Sequence, residues 1–140
     1  MSDGLFAYDC NLTITNRTAN ALRLVSESAN QSSGFIPGTV NYLAPPPARL
    51  DPGQTVKVSI HASDNFNVTS RFVYEFEDMS EPECHLTFGL ATSLQDFLHP
   101  DDQVQAGGRV DDDLTNIFRV TTTPHSSYYQ HDAEFEISGY

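Results

Sequence analysis

The chain has 140 residues, 39% hydrophobic and 11% aromatic with no Trp, which is enough to bury one core without metal or disulfide staples. No stretch approaches the roughly eighteen consecutive apolar residues that a membrane-crossing helix needs. With 19 acidic against 7 basic side chains the formal charge is −12, which repels phosphate backbones and anionic headgroups, so nucleic acid is excluded as a partner class.

Residues Met1 to Cys10 carry neither the basic stretch nor the apolar run of a secretory signal. That reads as cytoplasmic synthesis, with later release and extracellular action left open. From there the hydrophobic period is two almost throughout. Leu12 and Ile14, Leu22 and Leu24, then Val56, Val58 and Ile60 alternate with polar or small residues, and so do Phe72, Tyr74 and Phe76, Leu86, Phe88 and Leu90, and Phe135 and Ile137. Such alternation places each set on one face of a half-buried strand. Ile117 to Thr123 is a further β-rich run.

Strand breakers fall between these runs: Asn16 to Asn20, Ser32 to Gly34, Pro45 to Pro47, Asp51-Pro52-Gly53, Asp64-Asn65, Glu81-Pro82, His99-Pro100, Gly107-Gly108 and Thr123-Pro124. Ala91 to Leu98 is the best helical stretch, of one or two turns. With no repeat and no long linker, residues 1–140 form one domain. The expected fold is all-β, a two-layer antiparallel β-sandwich of about seven to nine short strands, with a barrel as the alternative.

Charge is unevenly placed. Residues 63–140 carry fifteen acidic and three basic side chains, against four of each in residues 1–62. Cys10 and Cys84 stand near the starts of apolar runs with no metal-ligand spacing, so buried free thiols are expected. A disulfide would need the two strand starts to be neighbours in an oxidising compartment. Four N-x-S/T sequons begin at Asn11, Asn16, Asn30 and Asn67, and without a signal segment they are expected to be unused.

Catalytic patterns are missing from the sequence. There is no GxSxG elbow, phosphate loop, Rossmann glycine fingerprint or HExxH. The five His residues follow no ligand spacing, and Cys84 and His85, as strand neighbours, turn to opposite faces. The chain therefore reads as a binding protein and not an enzyme. Asp111, Asp112 and Asp113, with Asp101-Asp102 across the Gly107-Gly108 turn, form the acid clusters that Ca²⁺ could use. Asp78, Glu81 and Glu83 make a weaker acidic turn, and for both a solvated loop is the ordinary reading.

Aromatic residues outside the alternating runs are the more telling pattern. Phe35 and Tyr42 flank a Gly- and Pro-bearing loop, Phe66 sits in Asp64-Asn65-Phe66-Asn67, Phe97 closes the helical stretch, and Tyr128-Tyr129 lies between Pro124 and Asp132. Rings on loops suit lipid interfaces and sugar faces. Plugging of the core is the alternative for each ring taken singly, but adjacent tyrosines cannot easily point the same way.

The order of features resembles a known group. Leu12-Thr-Ile-Thr-Asn-Arg-Thr18, Ala21-Leu-Arg-Leu-Val25, the turn into Asp51-Pro-Gly-Gln-Thr-Val56, and Phe72-Val-Tyr-Glu-Phe-Glu-Asp78 followed by Leu86-Thr-Phe88 are similar to the aegerolysins and, more distantly, the actinoporin-like cytolysins. Tyr128-Tyr129 and Ala133-Glu-Phe-Glu-Ile137 resemble the final strands of the second group. The resemblance implies a toxin-like, lipid-binding β-sandwich that recognises a neutral sphingolipid or sterol-rich membrane, with a protein partner completing any pore. Unlike those families this chain has no Trp, so Phe35, Tyr42, Phe66, Tyr128 and Tyr129 would take the interfacial role. A lectin-like module using the same rings, and a structural domain that self-associates or pairs with a partner through strand edges, stand as alternatives.

Overall fold

A computed structural model describes residues 7–31, 39–63, 67–77, 83–91, 104–111, 117–126 and 131–139. They form ten strands: β1 (Ala7–Arg17), β2 (Leu22–Gln31), β3 (Thr39–Ala44), β4 (Arg49–Leu50), β5 (Thr55–Ser63), β6 (Asn67–Phe76), β7 (Glu83–Ala91), β8 (Val104–Val110), β9 (Phe118–Ser126) and β10 (His131–Gly139). One sheet, called A here, has the order β3-β5-β1-β10-β9, and sheet B has the order β4-β2-β6-β7-β8. The β-sandwich expected from the alternation is present, with ten strands in place of seven to nine. It is not wholly antiparallel, because β1 and β10 pair in parallel, Leu12 opposite Ala133 and Arg17 opposite Ser138.

The inward residues are those the period of two marks. Cys10, Leu12 and Ile14 of β1, Val58 and Ile60 of β5, and Phe135 and Ile137 of β10 are buried from sheet A. Leu22, Phe72, Tyr74, Phe76, Cys84, Leu86 and Phe88 meet them from sheet B. Phe76 stacks on Phe118 with centroids 4.3 Å apart, tying β6 to the far sheet. Tyr74 brings a hydroxyl into this core and donates it to the Pro47 carbonyl at 2.9 Å, so its burial leaves no lost hydrogen bond.

Two breakers turn out to lie inside strands. Gly107 and Gly108 belong to β8 and Pro124 to β9. A Cβ on Gly108 would come 2.3 Å from Val120 Cγ1, so this glycine lets β8 and β9, edge strands of the two sheets, approach closely. Thr122 Oγ1 donates to the Ala106 carbonyl across the same gap at 3.3 Å. Pro124 is tolerated because β9 is an edge strand, where a missing N–H leaves no ladder partner unsatisfied. Of the helical stretch, Ala91 is the last residue of β7 and the rest lies outside the described residues.

At the other side of the sandwich, β2 slips register between Leu24 and Ser26 and β3 between Tyr42 and Ala44. The extra residues, Val25 and Leu43, are exposed aliphatics. Bulges of this kind twist an open edge and blunt its capacity to pair with another chain.

Candidate functional site

Strand directions decide which connections share an end of the sandwich. In sheet A, Ala7 opens β1 opposite Ser63, the last residue of β5, and Ser63 also faces Thr39, the first of β3. β10 runs parallel to β1, and its first residue, His131, faces Ser126 at the close of β9. In sheet B, Gln31 closes β2 opposite Val68, Asn67 opens β6 opposite Ala91, and Leu90 faces Val104 at the start of β8. Only residues 64–66 separate Ser63 from Asn67, a span of about 14 Å at most, comparable with the roughly 10 Å between stacked sheets. These strand ends therefore lie at one end of the molecule.

Phe35, Phe66, Phe97, Tyr128 and Tyr129 are outside the described residues. The strand ends that bracket each of them, Gln31 and Thr39, Ser63 and Asn67, Ala91 and Val104, Ser126 and His131, all belong to that shared end. Tyr42 is different, being a strand residue and not a loop residue. Its ring is half-buried against the core, and its hydroxyl donates to Glu27, bridging β3 of sheet A to β2 of sheet B. Burial and the Glu27 carboxylate together push its phenol well above the usual tyrosine range. Tyr42 thus closes a side of the sandwich.

The opposite end is organised around Asn16, which is fully buried in β1. Its Nδ2 donates to the Asn20 carbonyl at 2.8 Å and the Leu50 carbonyl at 3.1 Å. Its Oδ1 accepts from the Thr18 N–H at 3.0 Å and the Thr18 hydroxyl at 2.7 Å. All four bonds an amide side chain can make are filled. The Asn16 main chain adds two more, donating to the Gln54 carbonyl at 2.9 Å and accepting from the Gly53 N–H at 2.7 Å. Gly53, with φ of +79°, sits third in the Asp51-Pro52-Gly53-Gln54 turn that this bond anchors, a position where glycine adopts left-handed backbone without strain.

Among the described residues, the outward face of sheet A carries three ion pairs. Arg17 meets Glu136 at 3.0 Å, His125 meets Glu134 at 2.8 Å and His61 meets Asp9 at 2.5 Å. The outward face of sheet B pairs Arg23 with Glu75 in the same way, and beside that pair it is hollowed. On β6, β7 and β8 the outward rows are Val73, His85 and Arg109, then Arg71, Thr87 and Gly107, then Thr69, Gly89 and Gln105. Gly107 and Gly89 leave the surface low, and two shallow hollows of about 360 and 380 Å³ follow, meeting at Thr87 and Gly107. Arg71, His85 and Arg109 line the first, and Thr69, Gly89 and Gln105 line the second, nearer the end from which the aromatic segments leave.

Asp111 ties the charged hollow together. It accepts from the Glu83 N–H at 2.9 Å, stands 3.2 Å from His85 Nε2 and lies 3.6 Å from Arg109. The Glu83 N–H, helped by His85 and Arg109, holds its carboxyl below the usual carboxylate range against the opposing effect of burial. His85 in turn has Nδ1 2.9 Å from an Arg71 Nη2.

Of the acid clusters, Asp111 alone is described, and Asp101, Asp102, Asp112 and Asp113 are not. The seven residues of β8, about 20 Å of strand, stand where the sequence suggests a turn joining them. Among the described residues, Glu83, His85 and Asp111 bring three donor atoms within 4.8 Å of one another, a set suited by type to a divalent metal. Arginine only donates, so His85 Nδ1 accepts from Arg71 and the ring proton sits on Nε2, pointing at Asp111. That tautomer offers no Nε2 lone pair to a cation. The expected calcium ligands therefore gain no support from Asp111, whose oxygens are engaged by an N–H, an imidazole and a guanidinium.

Both cysteines are buried free thiols, one in each sheet, and burial pushes each up to about 12. Reasoning from the sequence overlooked the Arg71, Thr87 and Gly107 row entirely. Its signal was present as a threonine and a glycine at outward positions of strands that otherwise place charge there.

Sequence comparison matches the chain to no protein family and to no curated protein. By structure it is similar to the lipid binding protein Nakanori, with a TM-score of 0.61 and 13% identity, over 94% of this chain and 71% of that one. At that identity the likeness is one of fold.

Proposed function

We propose that this protein is a non-enzymatic module that recognises a neutral lipid surface, of sphingolipid or sterol-rich type, through the end of the sandwich at which the aromatic segments join their strands. The observation that carries the reading is the coincidence of those strand ends in a fold shared over 94% of the chain with a protein described as lipid binding. Five aromatic side chains, Phe35, Phe66, Phe97, Tyr128 and Tyr129, belong to segments bracketed by that end. Aromatic rings inserted at headgroup level bring apolar area with a polar tip, which suits an uncharged interface. A net charge of −12 opposes anionic membranes, so the target is neutral. Any pore is taken, with the resemblance, to be completed by a partner protein.

Binding rather than catalysis also fits the thiols, which lie in the core and are held protonated. The test is co-sedimentation with vesicles of sphingomyelin, sphingomyelin with cholesterol, and phosphatidylcholine alone. Selective pelleting that is lost in a Tyr128→Ala, Tyr129→Ala double variant is the expected result. Failure to pellet with every composition would overturn the lipid reading and turn attention to glycans or a protein partner.

A further inference from the structure

We infer that the outward face of sheet B carries a second binding site, a groove for a phosphate ester whose anionic group sits between Arg71 and Arg109 and whose uncharged part lies over Gly107 and Gly89. This site is separate from the end of the sandwich and does not rest on the lipid reading.

Four observations converge on it. First, Arg71 is the guanidinium of this groove that meets no carboxylate among the described residues. Arg17, Arg23 and Arg49 each face an acidic partner, whereas Arg71 has a neutral imidazole nitrogen at 2.9 Å. In a chain with this excess of acid, a cation left without a counter-charge has donors to spare for an incoming anion.

Second, Arg71 is oriented. His85 accepts from it, Asp111 accepts from His85, and the Glu83 N–H fixes Asp111. With the guanidinium already held on one side, less side-chain freedom is lost when an oxyanion binds the other.

Third, Arg109 enters the same hollow from β8, two strands away and one outward row along. Strand spacing sets the two Cα atoms about 12 Å apart, a separation two arginine side chains can bridge around one tetrahedral anion. Arg109 meets Asp111 Oδ1 through Nη1 alone, at 3.6 Å, and its other N–H groups are available to an anion.

Fourth, the floor is built low. The Thr87 hydroxyl donates to the Gly107 carbonyl at 3.3 Å, and a Cβ at Gly107 would come within 2.9 Å of that hydroxyl, while one at Gly89 would meet nothing within 4 Å. The charged hollow continues past Thr87 into one lined by Thr69, Gln105 and Gly89, which carries no charge. An anionic head with an uncharged polar extension matches that sequence of surfaces. A free phosphate ester and a membrane phosphodiester both present this chemistry.

The experiment is an amide NMR titration of the whole protein with glycerol 3-phosphate at constant ionic strength, with inorganic phosphate and glycerol as companions. Saturable shifts at Thr87, Gly89, Gly107 and Arg109, absent with glycerol, are expected. Arg71→Ala should weaken binding by about ten-fold or more, as loss of a charge-assisted bond does, Arg71→Lys by less, and Arg17→Ala not at all. Gly89→Val, which adds bulk into open space, should weaken glycerol 3-phosphate and leave inorganic phosphate unchanged. Vesicles of phosphatidylcholine with phosphatidylglycerol then separate the sources. Competition by vesicles with the soluble ester assigns the site to a membrane phosphodiester, and its absence assigns it to a free ester. Shifts that do not saturate, or that persist at full strength in Arg71→Ala, would overturn the proposal. Pelleting with sphingomyelin vesicles is expected to survive in Arg71→Ala, so that loss of ester binding and failure of the lipid reading are read separately.

Discussion

The two ends of the sandwich are built by different means. At one end Asn16, Thr18, Asn20, Leu50, Gly53 and Gln54 are joined by a dense set of bonds from one buried amide and its own peptide. At the other, the strands of both sheets finish together and the chain runs out into the segments that hold Phe35, Phe66, Phe97 and Tyr128-Tyr129. A buried polar hub specifies a single arrangement because any unfilled bond is costly. A rigid scaffold fixed in this way leaves the opposite end free to vary its surface for recognition. Stability and binding should then separate by end, and substitutions can break or sharpen that division.

The largest effect is expected from Asn16→Ala. It removes the side-chain partner of the Leu50 carbonyl and of the Thr18 N–H in a buried site, while the Thr18 hydroxyl and the Asn20 carbonyl keep their bond to each other. Destabilisation of about 3 kcal/mol or more follows, measured by denaturant unfolding, with vesicle binding by the folded fraction unchanged. Gly53→Ala comes next. A Cβ there meets nothing within 4 Å, so the cost is that of left-handed backbone alone at φ of +79°, about 1–2 kcal/mol. If either substitution reduced lipid binding by the folded protein, the separation of the ends would fail.

A smaller effect concerns the core that both ends share. Cys10 and Cys84 are raised from 9.0 to about 12 by burial, with nearby carboxylates adding to the shift. A raised thiol value in the folded state means the contribution to stability is complete below pH 9 and declines as pH rises from there through about 12. The thermal midpoint of the native protein should therefore fall above pH 9, and a Cys10→Ala, Cys84→Ala variant should show a shallower decline. Thiol-reactive dye should label neither cysteine until the protein unfolds.

Much of the core was legible in the sequence, for a physical reason. Alternation in runs such as Phe72, Tyr74, Phe76 survives because each inward residue faces the other sheet without interruption. Breakers were less legible. Gly108 signals a turn by its identity, yet its role is to admit Val120, and Pro124 is harmless only because β9 happens to be an edge. Tyr42 shows the same limit, since its neighbours suggest a loop whereas its hydroxyl spans two sheets to Glu27. The Arg71 groove depends on residues from three strands brought side by side, and on a histidine tautomer set by an arginine, neither of which local spacing encodes. The parallel pairing of β1 with β10 is likewise a product of the completed topology.

The most direct test of the division between the ends is hydrogen–deuterium exchange of the protein alone and bound to sphingomyelin–cholesterol vesicles. Slower exchange on binding at peptides covering Gln31, Thr39, Ser63, Ser126 and His131, with no change at peptides covering Asn16 to Asn20 and Leu50 to Gln54, is the result predicted. Protection centred on the Asn16 end, or spread evenly over both ends, would contradict it.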